Sequence, residues 1–204
     1  SNTIGANNVA IGAGAAYANT TSSFNVAVGV SALRLQSFNN SGAQYNTFNV
    51  AVGTYALEAN NPTSNANGSL NVGIGTSSFR SNIIGTDNSG LGTNSGYYAL
   101  GSYNTYIGSY SGFGATGTNL GVANSTLGSR SLFSVTTGSD NVAIGNTTMY
   151  SNTVGSNNVA LGAGAAYANT AASFTVAVGA SALRLQSFDN GGIKYSKSGK
   201  AVAV

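Results

Sequence analysis

The pentapeptide Asn141-Val142-Ala143-Ile144-Gly145 recurs, with variation, ten times along the chain. Its closing glycine falls at Gly12, Gly29, Gly53, Gly75, Gly92, Gly108, Gly128, Gly145, Gly162 and Gly179, so five of the nine intervals are 17 residues and the others run from 16 to 24. A unit this short cannot enclose a core of its own. It buries its apolar side against the units before and after it, which is the logic of a solenoid. The expectation is an all-β repeat solenoid of about ten short rungs, forming one continuous domain over residues 1–204.

Counting from the glycine as position 0, position −1 is aliphatic in every copy, from Ile11, Val28 and Val52 to Ile144, Leu161 and Val178. Position −3 is Val in seven copies and Ser89, Thr105 and Ser125 in the middle three, with a mostly small residue such as Ala10, Ala51 or Gly73 between. This alternation predicts a short strand with one buried face, its core ladder at position −1. Position +3 is always small, as at Ala15, Ser95 and Ala165, and larger apolar residues often follow it. That pattern predicts a second short strand with room for close backbone approach. The rest of each rung, such as Asn19-Thr20, Asn60-Asn61-Pro62 or Thr136-Thr137-Gly138, is turn-forming. The two longest insertions, around residues 36–48 and 58–70, are expected to bulge outward.

A larger repeat lies above the short one. Residues 1–40 return at 151–190 with 32 of 40 positions identical, which is growth by copying whole blocks of rungs. The chain begins at Ser1 inside a repeat and is expected to be a segment of something longer.

The chemistry available is narrow. Without Cys or His, the chain has no disulfide, no thiolate chemistry and none of the usual zinc ligands. Charged residues are 5% of the chain and no Lys or Arg run follows a phosphate backbone, so nucleic acid is not an expected partner. Nor is any apolar run long enough for membrane insertion. The four carboxylates are Glu58, Asp87, Asp140 and Asp189. Asp87 and Asp140 stand where Asn7 and Asn157 stand in other copies, and Asp189 replaces Asn39, so each reads as a turn residue. No catalytic residue is assigned and no enzyme is expected. Neither the Gly-Gly-x-Gly-x-Asp calcium pattern nor a Gly-x-x-x-x-Gly-Lys phosphate loop occurs, so no metal and no cofactor are expected.

Position +5 carries the candidate site. It runs Tyr17, Arg34, Glu58, Arg80, Tyr97, Phe113, Phe133, Tyr150, Tyr167, Arg184. The five successive aromatics Tyr97, Phe113, Phe133, Tyr150 and Tyr167 form one stripe, either a ligand or inter-chain surface or a stacked ladder within the chain. Arg34, Glu58 and Arg80 on successive rungs predict a charge ladder.

Asn-Val-Ala-Ile-Gly followed by x-x-Ala-Leu, then a Ser/Asn/Thr-rich turn and the next Asn, resembles the repeats of phage tail-fibre shafts over residues 8–183. It is also similar to the head repeats of trimeric autotransporter adhesins, in which three chains form a left-handed β-roll. The resemblance implies an intertwined or side-by-side homotrimer in a virion tail fibre or at a cell surface, with other fibre or virion proteins as partners. The thin core of each rung points independently to association. The functional expectation is a structural shaft segment that holds or contributes to a host receptor-binding tip. The alternatives are a glycan-binding or glycan-cleaving spike that engages host surface glycan, a bacterial trimeric surface adhesin, and last an ice-binding solenoid suggested by Thr54, Thr76 and Thr93 at one offset.

Overall fold

The structure is a computed structural model that describes residues 4–37, 41, 43–115, 119–185 and 202–203. It is all-β, with no helix among the described residues. Each pentapeptide forms a three-residue strand: β1 (Val9–Ile11), β3 (Val26–Val28), β5 (Val50–Val52), β6 (Val72–Ile74), β7 (Ser89–Leu91), β8 (Thr105–Ile107), β9 (Ser125–Leu127), β10 (Val142–Ile144), β11 (Val159–Leu161) and β12 (Val176–Val178). With β13 (Val202–Ala203) they form one parallel sheet in sequence order, each strand pairing with the next in register, as in Val142↔Val159 and Ile144↔Leu161. Ten rungs at about 4.8 Å each give a stack about 45 to 50 Å long.

The strand's inside and outside are the reverse of the sequence expectation. Position −2 points inward, with Ala27, Ala51, Tyr106, Ala143, Ala160 and Ala177 fully buried. Position −1 points outward: Ile11 is 60% exposed, Leu91 50% and Ile144 42%. The aliphatic ladder is therefore a surface ladder. Hydrophobicity alone assigns the larger side chain to the core, but the interior is too narrow for two large rows. That space is filled from the opposite wall, by Leu33, Leu57, Phe79, Leu132 and Met149 at position +4.

The expected second strand is also replaced. The segment after the glycine is a chain of tight turns, in which the N–H of position +3 donates to the carbonyl of position 0, +5 to +2 and +7 to +4, as in Ser78→Gly75, Arg80→Ser77 and Asn82→Phe79. Positive φ recurs at positions +2 and +4 (Tyr55 at 59°, Leu57 at 48°), the second central residue of each of the first two turns, as type II turns require. Small-then-large alternation reads as a strand because consecutive turns also send neighbours in and out. The turns still stack, since Ala16 donates to the Ala32 carbonyl and Ala18 to that of Arg34, both at 2.9 Å.

Two devices lock the corners. The rung glycine holds φ between 120° and 140°, and a Cβ at Gly145 would stand 2.6 Å from the Gly162 carbonyl carbon, so no other residue fits. Position −4 is an inward Asn whose amides form a ladder. The Asn141 N–H and Nδ2 both donate to Asn124 Oδ1 (3.1 and 3.0 Å), and its own Oδ1 accepts the same pair from Asn158. The ladder runs from Asn8 through Asn25, Asn49, Asn71, Asn88 and Asn104 to Thr175.

Of the two insertions, the first does not simply bulge. Within its described part, β4 (Tyr45–Asn46) pairs with β2 (Ser22–Ser23) as a second small parallel sheet, and Tyr45 and Thr47 are buried. The second bulges only between Thr63 and Asn67. The amides of Asn49 and Asn60 clamp its end by donating to the Gly68 carbonyl. Asp189 lies outside the described residues, as do residues 38–40 of the first insertion.

Candidate functional site

Two surfaces carry side chains that the fold itself does not consume. The first is the outer face of the strand sheet, made of positions −3 and −1. A rung has only three strand residues and the interior takes the middle one, so the residues at −3 and −1, such as Val142 and Ile144, are left facing out. The rows stack in register, so Ile11, Val28, Val52, Ile74, Leu91, Ile107, Leu127, Ile144, Leu161 and Val178 form one continuous aliphatic line. Beside it the −3 row is Val at both ends of the stack and hydroxyl-bearing at Ser89, Thr105 and Ser125 in the middle. The signal for this surface was present in the sequence as the aliphatic ladder and was assigned to the wrong side.

The second is the aromatic stripe, which the structure brings together. Phe113, Phe133, Tyr150 and Tyr167 stack with centroids 5.1, 4.9 and 5.1 Å apart and ring planes within 6°. Tyr97 joins at 5.4 Å from Phe113, tilted by 36°, and Tyr98 and Tyr110 pack on the flank of Phe113. Guanidinium groups close both ends, Arg80 lying 5.8 Å from the Tyr97 ring and Arg184 5.6 Å from that of Tyr167. The cause is the turn run: position +5 faces outward on every rung and the rungs stack at the spacing of stacked rings. Within the stack each face is covered by the next ring, so the stripe offers edges and hydroxyls to solvent. Sugar rings dock on open aromatic faces, which this packing hides.

On the same edge the charge ladder is formed. Glu58, only 8% exposed, accepts from Arg80 Nε at 2.6 Å, and Arg34 Nη1 stands 3.6 Å from its other oxygen. Arg80 also donates to the Tyr97 hydroxyl at 3.1 Å and covers the Tyr55 ring at 4.6 Å. The hydrogen bond to Glu58 pushes the Arg80 pKa further up from its ordinary value. The carboxylate is held by two cations in a structural cluster, not presented as an acid or base. Among the described residues no three His, Cys, Asp or Glu side chains gather, and no helix is long and apolar enough to cross a membrane.

The buried phenols are packing elements. Burial pushes the Tyr45 hydroxyl up to about 12 against a smaller opposing hydrogen bond from Ser22, and it pushes Tyr106 up further. The Tyr106 hydroxyl faces the Asn119 and Asn124 amides but meets neither in hydrogen-bond geometry. The chain matches no protein-family model, no curated protein and no solved structure.

Proposed function

We propose that the chain is a structural shaft segment of a fibre, a phage tail fibre or a related virion or cell-surface appendage, and that three copies run parallel along their sheet faces. The observation that supports this most is the exposed aliphatic line at position −1, continuous over ten rungs. A fully buried Val, Leu or Ile contributes roughly 1.5 to 3 kcal/mol, so covering the five that are 38 to 60% exposed adds about 1 kcal/mol each, about 5 kcal/mol per chain, and the five more buried ones add less. That is enough to drive association, and too much apolar surface for a lone rod to leave in water. Three outward faces meeting about an axis hide the line while the hydroxyl- and amide-rich turns stay solvated. The mechanism is mechanical and involves no reaction. Stacked backbone and asparagine hydrogen bonds resist bending, and the shaft holds a receptor-binding tip away from its particle.

Light scattering on the purified chain tests the reading, with an expected mass of three times 20.2 kDa. Electron micrographs should show rods whose length scales with rung number. A stable monomer at micromolar concentration would remove the trimer and leave a single-chain solenoid.

A further inference from the structure

A third row of outward side chains runs along one edge of the sheet face. Position −5, just before the ladder asparagine, is left-handed in all ten rungs, with φ between 51° and 62°. Asn7, Asp87, Asp140 and Asn157 suit that backbone, but Phe24, Phe48, Leu70, Tyr103 and Phe174 do not. These five bulky residues are 40 to 65% exposed. Phe24 and Phe48 stack on each other at 5.1 Å, yet all five side chains keep a large part of their surface open, and an external surface that covers them gives the strained backbone a purpose.

Charge is sorted across the same face. Among the described residues all four cations, Arg34, Arg80, Arg130 and Arg184, lie on the turn side that follows the strand, at positions +2 and +5. Asp87 and Asp140 lie on the opposite side, at position −5. Glu58 is the partner in both ion pairs among the described residues, so Asp87, Asp140 and Arg130 enter none. Arg130, at position +2, belongs to the rung below Asp140. One rung is about 4.8 Å, within reach of an extended arginine.

Resting on the parallel trimer proposed above, we infer that the copies close as a head-to-tail ring, the −5 edge of each abutting the +1/+2 edge of the next, with Arg130 meeting the neighbour's Asp140. The partner is a second copy of this chain at the same height. Cyclic symmetry allows no axial shift between copies, so the pair keeps a one-rung lean at all three seams. At equal height the rule also sets Phe48 against Tyr55 and Tyr103 against Tyr110 of the next copy, and it covers the strained aromatic row. An antiparallel two-fold arrangement would instead bring like edges together, with −5 rows facing −5 rows.

The chain has no cysteine, so introduced thiols report contacts directly. The variant with both Arg130→Cys and Asp140→Cys, treated with a short bis-maleimide, should run as a covalent trimer on a denaturing gel, while each single variant stays a monomer. Within one chain the two positions lie on opposite sides of the strand and cannot be bridged. Separately, Asp140→Arg should lower the trimer fraction at least tenfold at a fixed low concentration, and adding Arg130→Asp should restore it. Single-cysteine variants that cross-link as dimers, or a trimer that neither cross-links in the double variant nor responds to charge reversal, would overturn the ring. A wild-type monomer would instead sink the trimer on which the ring rests.

Discussion

Gly112→Ala tests the packing that sets the interior. Tyr106 is the one large side chain at position −2, and it fits because position +4 is glycine on its own rung and on the rung before, Gly112 and Gly96. An added Cβ at Gly112 would lie 2.5 Å from Tyr106 Cγ and closer still to two other ring carbons. Ala16 and Ala166 already adopt the left-handed backbone at position +4 (φ 48° and 50°), so alanine is tolerated there at about 1 to 2 kcal/mol of backbone strain. The ring clash adds overpacking of about 1 to 3 kcal/mol, for a total of roughly 2 to 5 kcal/mol. Tyr106→Ala alone should cost about 3 to 5 kcal/mol. The double variant should cost less than the sum by about 1 to 3 kcal/mol, since the clash disappears with the ring. Urea unfolding followed by far-ultraviolet circular dichroism, with amide exchange of the middle rungs to keep the readout local, measures all three. Additive losses, or a Gly112→Ala variant as stable as the parent, would refute this account of the core.

The reversed strand faces predict that Ala143→Asp, fully buried, abolishes folding, whereas Ile144→Asp, on the exposed ladder, leaves a folded rod and disrupts the proposed trimer; light scattering and circular dichroism together separate the two. Asn141→Ala should cost about 2 to 4 kcal/mol, because the Asn124 side chain, the Gly155 carbonyl and the Asn158 amide all lose a buried partner, and denaturation midpoints will show it. The raised phenols give an alkaline limit: a group whose folded pKa lies above its unfolded value of 10.0 contributes stability that is intact below pH 10 and is lost as the pH rises through the folded value, about 12 for Tyr45. Tyr106→Phe should move alkaline unfolding to higher pH, and an unchanged midpoint would contradict it.

The rung count, the parallel in-register strands and the absence of helix were legible because a period of 17 with a fixed glycine has no other economical reading. The glycine's invariance has its reason in the structure, since only it tolerates a φ near 130° against the next rung's backbone. What sequence could not supply was the width of the roll. Val142, Ala143 and Ile144 are all apolar, so period-2 alternation marks a strand without saying which face is inside. The asparagine at position −4 was the missed clue. A side chain that is buried at 0% in Asn49, Asn71, Asn141 and Asn158 fixes its alternate neighbours at −2 as inward and puts −3 and −1 outside. The consecutive turns after the glycine were hidden because Leu57 and Phe79 are poor candidates for left-handed backbone. They adopt it at φ 48° because their N–H groups are held by the next rung, Leu57 by the Ser78 carbonyl and Phe79 by that of Ser95.

That dependence on the neighbouring rung explains how the chain tolerates duplication. The copied blocks occupy different surroundings: Ala10 lies open at the first rung while its counterpart Ala160 is fully buried, and Tyr17 is 67% exposed while Tyr167 is stacked on Tyr150. Their backbones nonetheless agree, with φ of 48° and 50° at Ala16 and Ala166, 61° and 58° at Phe24 and Phe174, and 49° and 51° at Leu33 and Leu183. Each rung's geometry is therefore set by its own sequence and its contacts with adjacent rungs, whatever lies farther along. A block copied in frame brings its own inward rows, turn register and outward ladders. If the copies meet edge to edge as inferred, it also brings the same −5 and +2 rows to the seam at a new height. Length can then change by whole blocks while the cross-section and the contacts between adjacent rungs stay as they were.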